Sequence, residues 1–163
     1  MGEAVIRRGE RADVEPAFGV WVAANRARRE GVPPRPEQEA RARGHVDRPG
    51  AVLLVADDAG EVVGMAVGEQ ALSDDGTGPP VEGLCHLSMV FVAPERWGEG
   101  LGGRLVDALL VEVRGHGYDR AQLWTQTENV RARRLYERRG FRPSGREKDE
   151  FGERIVHFER ALS

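Results

Sequence analysis

Cysteine is all but missing from this sequence: Cys85 stands alone among 163 residues. A single thiol excludes an internal disulfide and fits a reducing compartment. Cys85 lies inside an apolar run, where an inert core thiol is expected rather than a nucleophile. Lysine is equally scarce, Lys148 being the only one, and this bias carries no functional reading. The 24 basic and 27 acidic residues leave a formal net charge of -3, which does not favour non-specific attraction to nucleic acid. No apolar run approaches the ~18 residues of a membrane span, and the N-terminus lacks a signal-peptide pattern. The expected compartment is the cytoplasm, with neither nucleic acid nor membrane as partner. Four histidines and one cysteine form no metal-ligand spacing, so no metal is expected.

What remains is an ordinary globular composition, 40% hydrophobic and 31% charged, in a chain of a length that suits one domain spanning residues 1–163. The stretch around which it is organised is Leu84 to Arg104, LCHLSMVFVAPERWGEGLGGR. Leu84, Leu87, Met89, Val90, Phe91 and Val92 form a nearly continuous apolar run, the pattern of a strand covered on both faces. Pro94 ends it. Gly98, Gly100, Gly102 and Gly103 lead into Leu105, Val106, Leu109, Leu110 and Val113 at helical spacing. Glycine lets a ligand approach the backbone, and a helix N-terminus offers free N–H groups and a favourable dipole, so this loop reads as an anion site and implies a phosphate-bearing ligand.

The same letters match Gly-x-Gly-x-x-Gly at Gly98, Gly100 and Gly103, with Asp119 about where a dinucleotide fold places its ribose-binding acid, ~20 residues on. Three features oppose that reading. Much of the chain precedes the strand, Pro94, Glu95 and Arg96 lengthen the turn, and too little chain follows for a doubly wound sheet. A purely structural turn is the other alternative, although it rarely needs four glycines.

Along the rest of the chain, Ala4–Ile6 reads as an edge strand. Asp13 is placed to cap a helix carrying Phe18, Trp21 and Val22. Glu37–Arg43 forms a short charged helix, either a solvated surface element or part of a substrate wall. Ala51–Ala56 and Glu61–Leu72 form a hairpin with bulges suggested at Gly64 and Gly68, and Ser73–Gly83 reads as a loop. Ala121–Thr125 is a strand, Asn129 caps a helix carrying Ala132, Leu135 and Tyr136, Phe141 follows, and Arg154–Leu162 alternates as a final strand. The order β-α-α-β-β-β-α-β-α-β-β is a mixed α/β layer fold.

The loop Trp97-Gly98-Glu99-Gly100-Leu101-Gly102 and the run Asn129 to Phe141, NVRARRLYERRGF, together resemble the GNAT superfamily of acyl-CoA N-acyltransferases. The first is similar to that family's [Q/R]-x-x-G-x-[G/A] signature and the second to its N-x-x-A-x-x-x-Y…G-F segment. The resemblance implies a central mixed, mostly antiparallel sheet flanked by helices, acetyl-CoA as cosubstrate, and an amine acceptor. It matches Val90, Phe91 and Val92 to the strand that pairs with the pantetheine arm, extending the sheet. Trp97, Gly98, Glu99, Gly100, Leu101, Gly102 and Gly103 match the pyrophosphate loop, and Asn129 a contact to the coenzyme arm. Tyr136 matches the general acid that protonates the departing thiolate, and His86 falls where many members carry a glutamate base. Trp97 departs from the family's Gln or Arg.

Acyl transfer from a thioester needs a neutral amine. A primary amine with pKa ~10.4 is about a thousandth neutral at pH 7, so a histidine base near ~6.5 is suited to the task, and a tyrosine at ~10 can share its proton with a thiolate near ~8.5. An N–H near Val90 would polarise the thioester carbonyl. Structural alternatives stand beside both residues: a core tyrosine at position 136, and at position 86 a structural histidine on the strand face of Ser88, Val90 and Val92. Glu69, Asp74 and Glu82 are rival bases read as loop or rim carboxylates, with the acidic loop around Asp74, Asp75 and Glu82 suited to a cationic amine. His45, His116 and His157 lack any partner pattern. The sequence therefore implies acetyl transfer to a small-molecule primary amine, with a protein or peptide N-terminus, or a non-catalytic acyl-CoA sensor, as alternatives. Family members are often homodimers, though no residue demonstrates one.

Overall fold

The computed structural model describes residues 3–162. Its seven strands form one sheet in the order β1-β2-β3-β4-β5-β7-β6, where β1 is Val5–Arg8, β2 Val52–Asp58, β3 Glu61–Leu72, β4 Pro80–Val92, β5 Arg120–Gln126, β6 Arg142–Glu150 and β7 Glu153–Ala161. All neighbours are antiparallel except β4 and β5, between which helix α4 (Leu101–Gly115) returns the chain to the end of the sheet where β4 began. Helices α1 (Val14–Arg28) and α2 (Pro36–Asp47) precede β2, a single turn α3 (Ser73–Gly76) follows β3, and α5 (Val130–Glu137) follows β5.

Helices cover both faces of the sheet, which is why β3 and β4 read as apolar runs. Leu105, Val106, Leu109 and Val113 recur along α4 and bury against Ala66, Cys85 and Leu87. On the other face Phe18 and Trp21 of α1 bury against Met65, Val67 and Met89. Leu109 is fully buried. Leu109→Ala is expected to lower stability by ~2–5 kcal/mol, since the close-packed sheet can only partly fill the void; urea unfolding checks it.

Several local expectations need correction. The Asp13 side chain does not cap α1. It accepts from the Glu10 N–H (2.7 Å) and pairs with Arg7 (2.8 Å), and these contacts hold its carboxyl down at about 2, the Arg7 hydrogen bond being the main cause. The segment read as a loop becomes strand from Pro80 onward. Asp74 and Asp75 take left-handed backbone angles (φ 52° and 54°) in α3. In β4, Val67 pairs with Met89 but Gly68 with Leu87, so Ser88 is an extra residue. This bulge flips the alternation: Cys85 and Leu87 face α4, and beyond the bulge Met89 faces α1 while Val90 packs on the α4 side. His86 therefore does not share a face with Val90 and Val92.

Candidate active site

Strands β4 and β5 pair only from Leu84–His86 to Arg120–Gln122 and separate beyond, leaving one edge of β4 without a partner. The Ala93 N–H donates to the Val63 carbonyl (2.9 Å). By the alternation of an antiparallel ladder, Phe91 also points its backbone at β3, while Val90 and Val92 point theirs into the gap. The backbone groups of Val90 and Val92 thus face the gap, and those of Phe91 do not. The Val92 carbonyl accepts a hydrogen bond from Trp97 Nε1 (2.8 Å), which accounts for the indole at this position, and the Arg131 guanidinium lies 5.4 Å from the Trp97 ring centre.

A cavity of about 480 Å³ opens in the gap, lined by Val90, Phe91, Val92, Trp97, Gly98, Gly100, Leu101, Gly102, Gly103, Asn129, Leu135, Tyr136, Arg131, Arg138 and others. Of the expected loop residues only Glu99 is absent from its lining; its carboxylate pairs with Arg96 (2.9 Å). The loop needs its glycines for two different reasons. Gly98 and Gly100 have φ of +90° and +80° with open space where a side chain would project, a conformation that costs other residues energy. Gly103 instead makes room for Arg139, whose guanidinium would lie 2.1 Å from a Cβ placed there; Arg139 is held by Asp107 (2.9 Å). The backbone amides of Gly98 through Gly103 donate to no carbonyl among the described residues. They are the free N–H groups of a helix start, and α4 spans 15 residues. Arg131 and Arg138 make no ion pair with a described residue.

A second cavity of about 230 Å³ lies on the α1–α2 side, lined by Trp21, Asn25, Gln38, Arg41, His45, His86, Ser88, Met89, Trp124, Glu150, Phe151 and others. The two cavities share Val90, Phe91, Gln126, Asn129, Ala132 and Tyr136. Helix α2 lines this cavity through Gln38, Arg41, Ala42 and His45. Ion pairs of Arg41 with Glu150 and of Arg28 with Glu153 (3.0 Å) tie the α1–α2 segment to the β6–β7 turn, and Arg41 and Glu150 line this cavity.

Asn129 caps α5, its Oδ1 accepting from the Ala132 N–H (3.1 Å), which leaves its NH₂ toward the junction of the cavities. Tyr136 is buried, packs edge-on against Phe141 (5.8 Å between ring centres), and its hydroxyl bonds to no described residue. Burial raises its phenol well above the usual range, so it is a proton donor at neutral pH. His86 lines the second cavity with its Nδ1 buried and without a partner. Burial pushes its imidazole down to about 4, so it is neutral and a weak proton acceptor at pH 7. Burial likewise pushes the Cys85 thiol up to about 12, consistent with an inert core residue.

Glu69 was read as a rim carboxylate but is fully buried in β3. It accepts from His45 Nδ1 (2.9 Å), Ser88 Oγ (2.8 Å) and Arg48. Burial pushes its carboxyl up, but the hydrogen bond and charge of His45, the Ser88 hydrogen bond and the Arg48 charge outweigh burial and leave it below the usual range. His45, read as partnerless, is thus held by a carboxylate. A glutamate inside the apolar run EVVGMAVGEQAL, and His45 and Arg48 three residues apart at the end of α2, are the signals for this cluster. Asp74, Asp75 and Glu82 line neither cavity; Asp75 faces Arg146 (3.2 Å) and Lys148 (3.5 Å).

With this geometry in place, comparison with known proteins identifies relatives. The acetyltransferase (GNAT) family model matches residues 19–141. Over 58 residues, 36% of this chain, the sequence is 43% identical to mycothiol acetyltransferase of Beutenbergia cavernae, the match spanning 20% of that protein's length. Among solved structures, the ribosomal-protein-S18-alanine N-acetyltransferase of Escherichia coli superposes with a TM-score of 0.76 at 18% identity, covering 98% of this chain and 94% of that one. The structure of yncA from Salmonella typhimurium with its cofactor acetyl-CoA gives 0.72 at 21% identity, covering 99% and 95%. At these identities the two structures speak for the fold alone.

Proposed function

This chain belongs to the acetyltransferase (GNAT) family, and we propose that it moves the acetyl group of acetyl-CoA to the primary amine of a small molecule, with Tyr136 as general acid. Acetyl-CoA, the cosubstrate typical of the family, supplies an acetyl group activated as a thioester. The residues present fit it. The free amides from Gly98 to Gly103 suit a pyrophosphate, with Arg131 and Arg138 at the rim for further phosphate charge. The Val90 and Val92 backbone edge suits the amide-bearing arm. The NH₂ of Asn129 is free to meet the same arm.

The observation that carries the reading is the junction of the two cavities at Val90, Asn129 and Tyr136. A donor lying along β4 and an acceptor entering from the α1–α2 side would meet beside a protonated, unpartnered phenol. The Val90 N–H, unpaired in the sheet, is placed to bind the carbonyl oxygen as negative charge develops there. Tyr136 gives its proton to the sulfur as the carbon–sulfur bond breaks. The small volume of the second cavity favours a small amine over a protein chain. Its lining sets Trp21, Phe91, Trp124 and Phe151 beside Gln38, Arg41, His45 and Glu150, which suits an amine with an aromatic body and polar groups. Thiol release from acetyl-CoA, measured across phenethylamine, tyramine, spermidine and an alanine-terminated peptide, tests this. Amine-dependent release with the aromatic amines supports the reading, and turnover of the peptide alone overturns the small-molecule acceptor.

A further inference from the structure

Resting on that reading, we infer that the base which prepares the acceptor amine is His45 of α2, oriented by buried Glu69 of β3. A carboxylate can only accept hydrogen bonds, and both Glu69 oxygens lie within 3.0 Å of His45 Nδ1. The proton of the neutral ring is therefore fixed on Nδ1, and the lone pair on Nε2. Nε2 bonds to no described residue and is not among the enclosed unpartnered atoms, and His45 lines the second cavity. The arrangement places a tautomer-locked imidazole in the wall of the acceptor site.

The charges around His45 are these. Glu69 faces it from β3, Arg41 shares its helix, Arg48 follows the end of that helix, His86 faces it from β4 with ring centres 6.2 Å apart, Glu150 lines the cavity from β6, and Tyr136 lines it from α5. Arg48 also pairs with Glu69. When Nε2 takes a proton, Glu69 stabilises the imidazolium across the Nδ1–H bond. His86 lacks such a partner, and its burial opposes the cation that a base must become.

The step balances as follows. Nε2 takes one proton from the ammonium, and the freed nitrogen lone pair forms the carbon–nitrogen bond. The carbon–sulfur electrons leave with sulfur, which receives the Tyr136 proton. The second amine proton restores the Tyr136 hydroxyl, and the imidazolium releases its proton to water.

The test compares wild type with His45→Gln, Glu69→Gln and His86→Gln, using phenethylamine and acetyl-CoA, with circular dichroism and calorimetric acetyl-CoA binding as checks of integrity. His45→Gln is expected to lower kcat/KM ~100-fold at pH 7 and to remove the acidic limb of the pH profile. The deficit should shrink as pH rises toward ~10, where the amine loses its proton without help. His86→Gln should keep the limb. Glu69→Gln should lower kcat/KM at pH 7 while leaving acetyl-CoA binding unchanged. In the free protein, nitrogen NMR of the imidazoles should show His45 as the Nδ1–H tautomer, and this preference should weaken in Glu69→Gln. A normal rate in His45→Gln, or a loss uniform across pH, overturns the inference. Absence of amine-dependent turnover in wild type instead overturns the transfer reading on which it rests.

Discussion

Gly100→Val is expected to weaken acetyl-CoA binding by ~100-fold or more. Gly100 sits at the N-cap of α4 with φ +80°, in the left-handed region where a β-branched side chain is strained by ~1–3 kcal/mol. The loop must relax that strain by turning its peptide planes, and the planes are what aim the Gly98–Gly103 amides at the cavity. A loss of ~2.7 kcal/mol corresponds to the stated ~100-fold. Nothing lies within 4 Å of the added Cβ, so the core beneath is undisturbed and the thermal midpoint should move by only a few degrees. Calorimetric titration against wild type reads the affinity. Equal affinity in the variant would remove the glycine loop from the coenzyme site.

Tyr136→Phe is expected to lower kcat by ~10²–10³-fold while changing acetyl-CoA affinity less than about twofold. The substitution keeps the ring that packs on Phe141 and deletes only the hydroxyl at the meeting of the two cavities. Since that hydroxyl bonds to no described residue, its loss leaves no buried group stranded, and a folding defect does not compete with the catalytic one. Burial holds the phenol above its usual range, so the wild-type rate should show no alkaline loss from Tyr136 below about pH 10. Wild-type turnover in the variant would return Tyr136 to the role of a core residue.

The parts of this molecule that were legible from sequence are those in which local pattern and tertiary role agree. Pro94, the glycines, and the leucine and valine repeat of α4 specify strand, loop and helix without reference to the rest of the chain. The position of Asn129 ahead of Ala132 and Tyr136 did the same for α5. The β4 bulge was not legible, because Ser88 is neither glycine nor proline and interrupts an apolar run without changing its composition. That one residue reverses which face His86 occupies. The Glu69 cluster was hidden for a different reason. Its members come from α2, β3 and β4, some 20 residues apart in pairs, and each taken singly looks like a solvated polar group. Only folding shows that α2, poor in apolar residues, docks through His45 and Arg48 onto a buried carboxylate. Trp97, where the family pattern has Gln or Arg, acquires its explanation only once the free Val92 carbonyl is seen.

The central claim is that two cavities hold donor and acceptor at once and join beside Tyr136. It is tested most directly by calorimetric titration with a bisubstrate conjugate in which the coenzyme A sulfur is linked through an acetyl bridge to the nitrogen of phenethylamine. The conjugate is expected to bind at least ~10-fold more tightly than coenzyme A, because the second cavity is engaged without a second loss of translational freedom. Gly100→Val is expected to remove most of that binding. A conjugate that binds no better than coenzyme A would mean that the amine has no site where the two cavities meet.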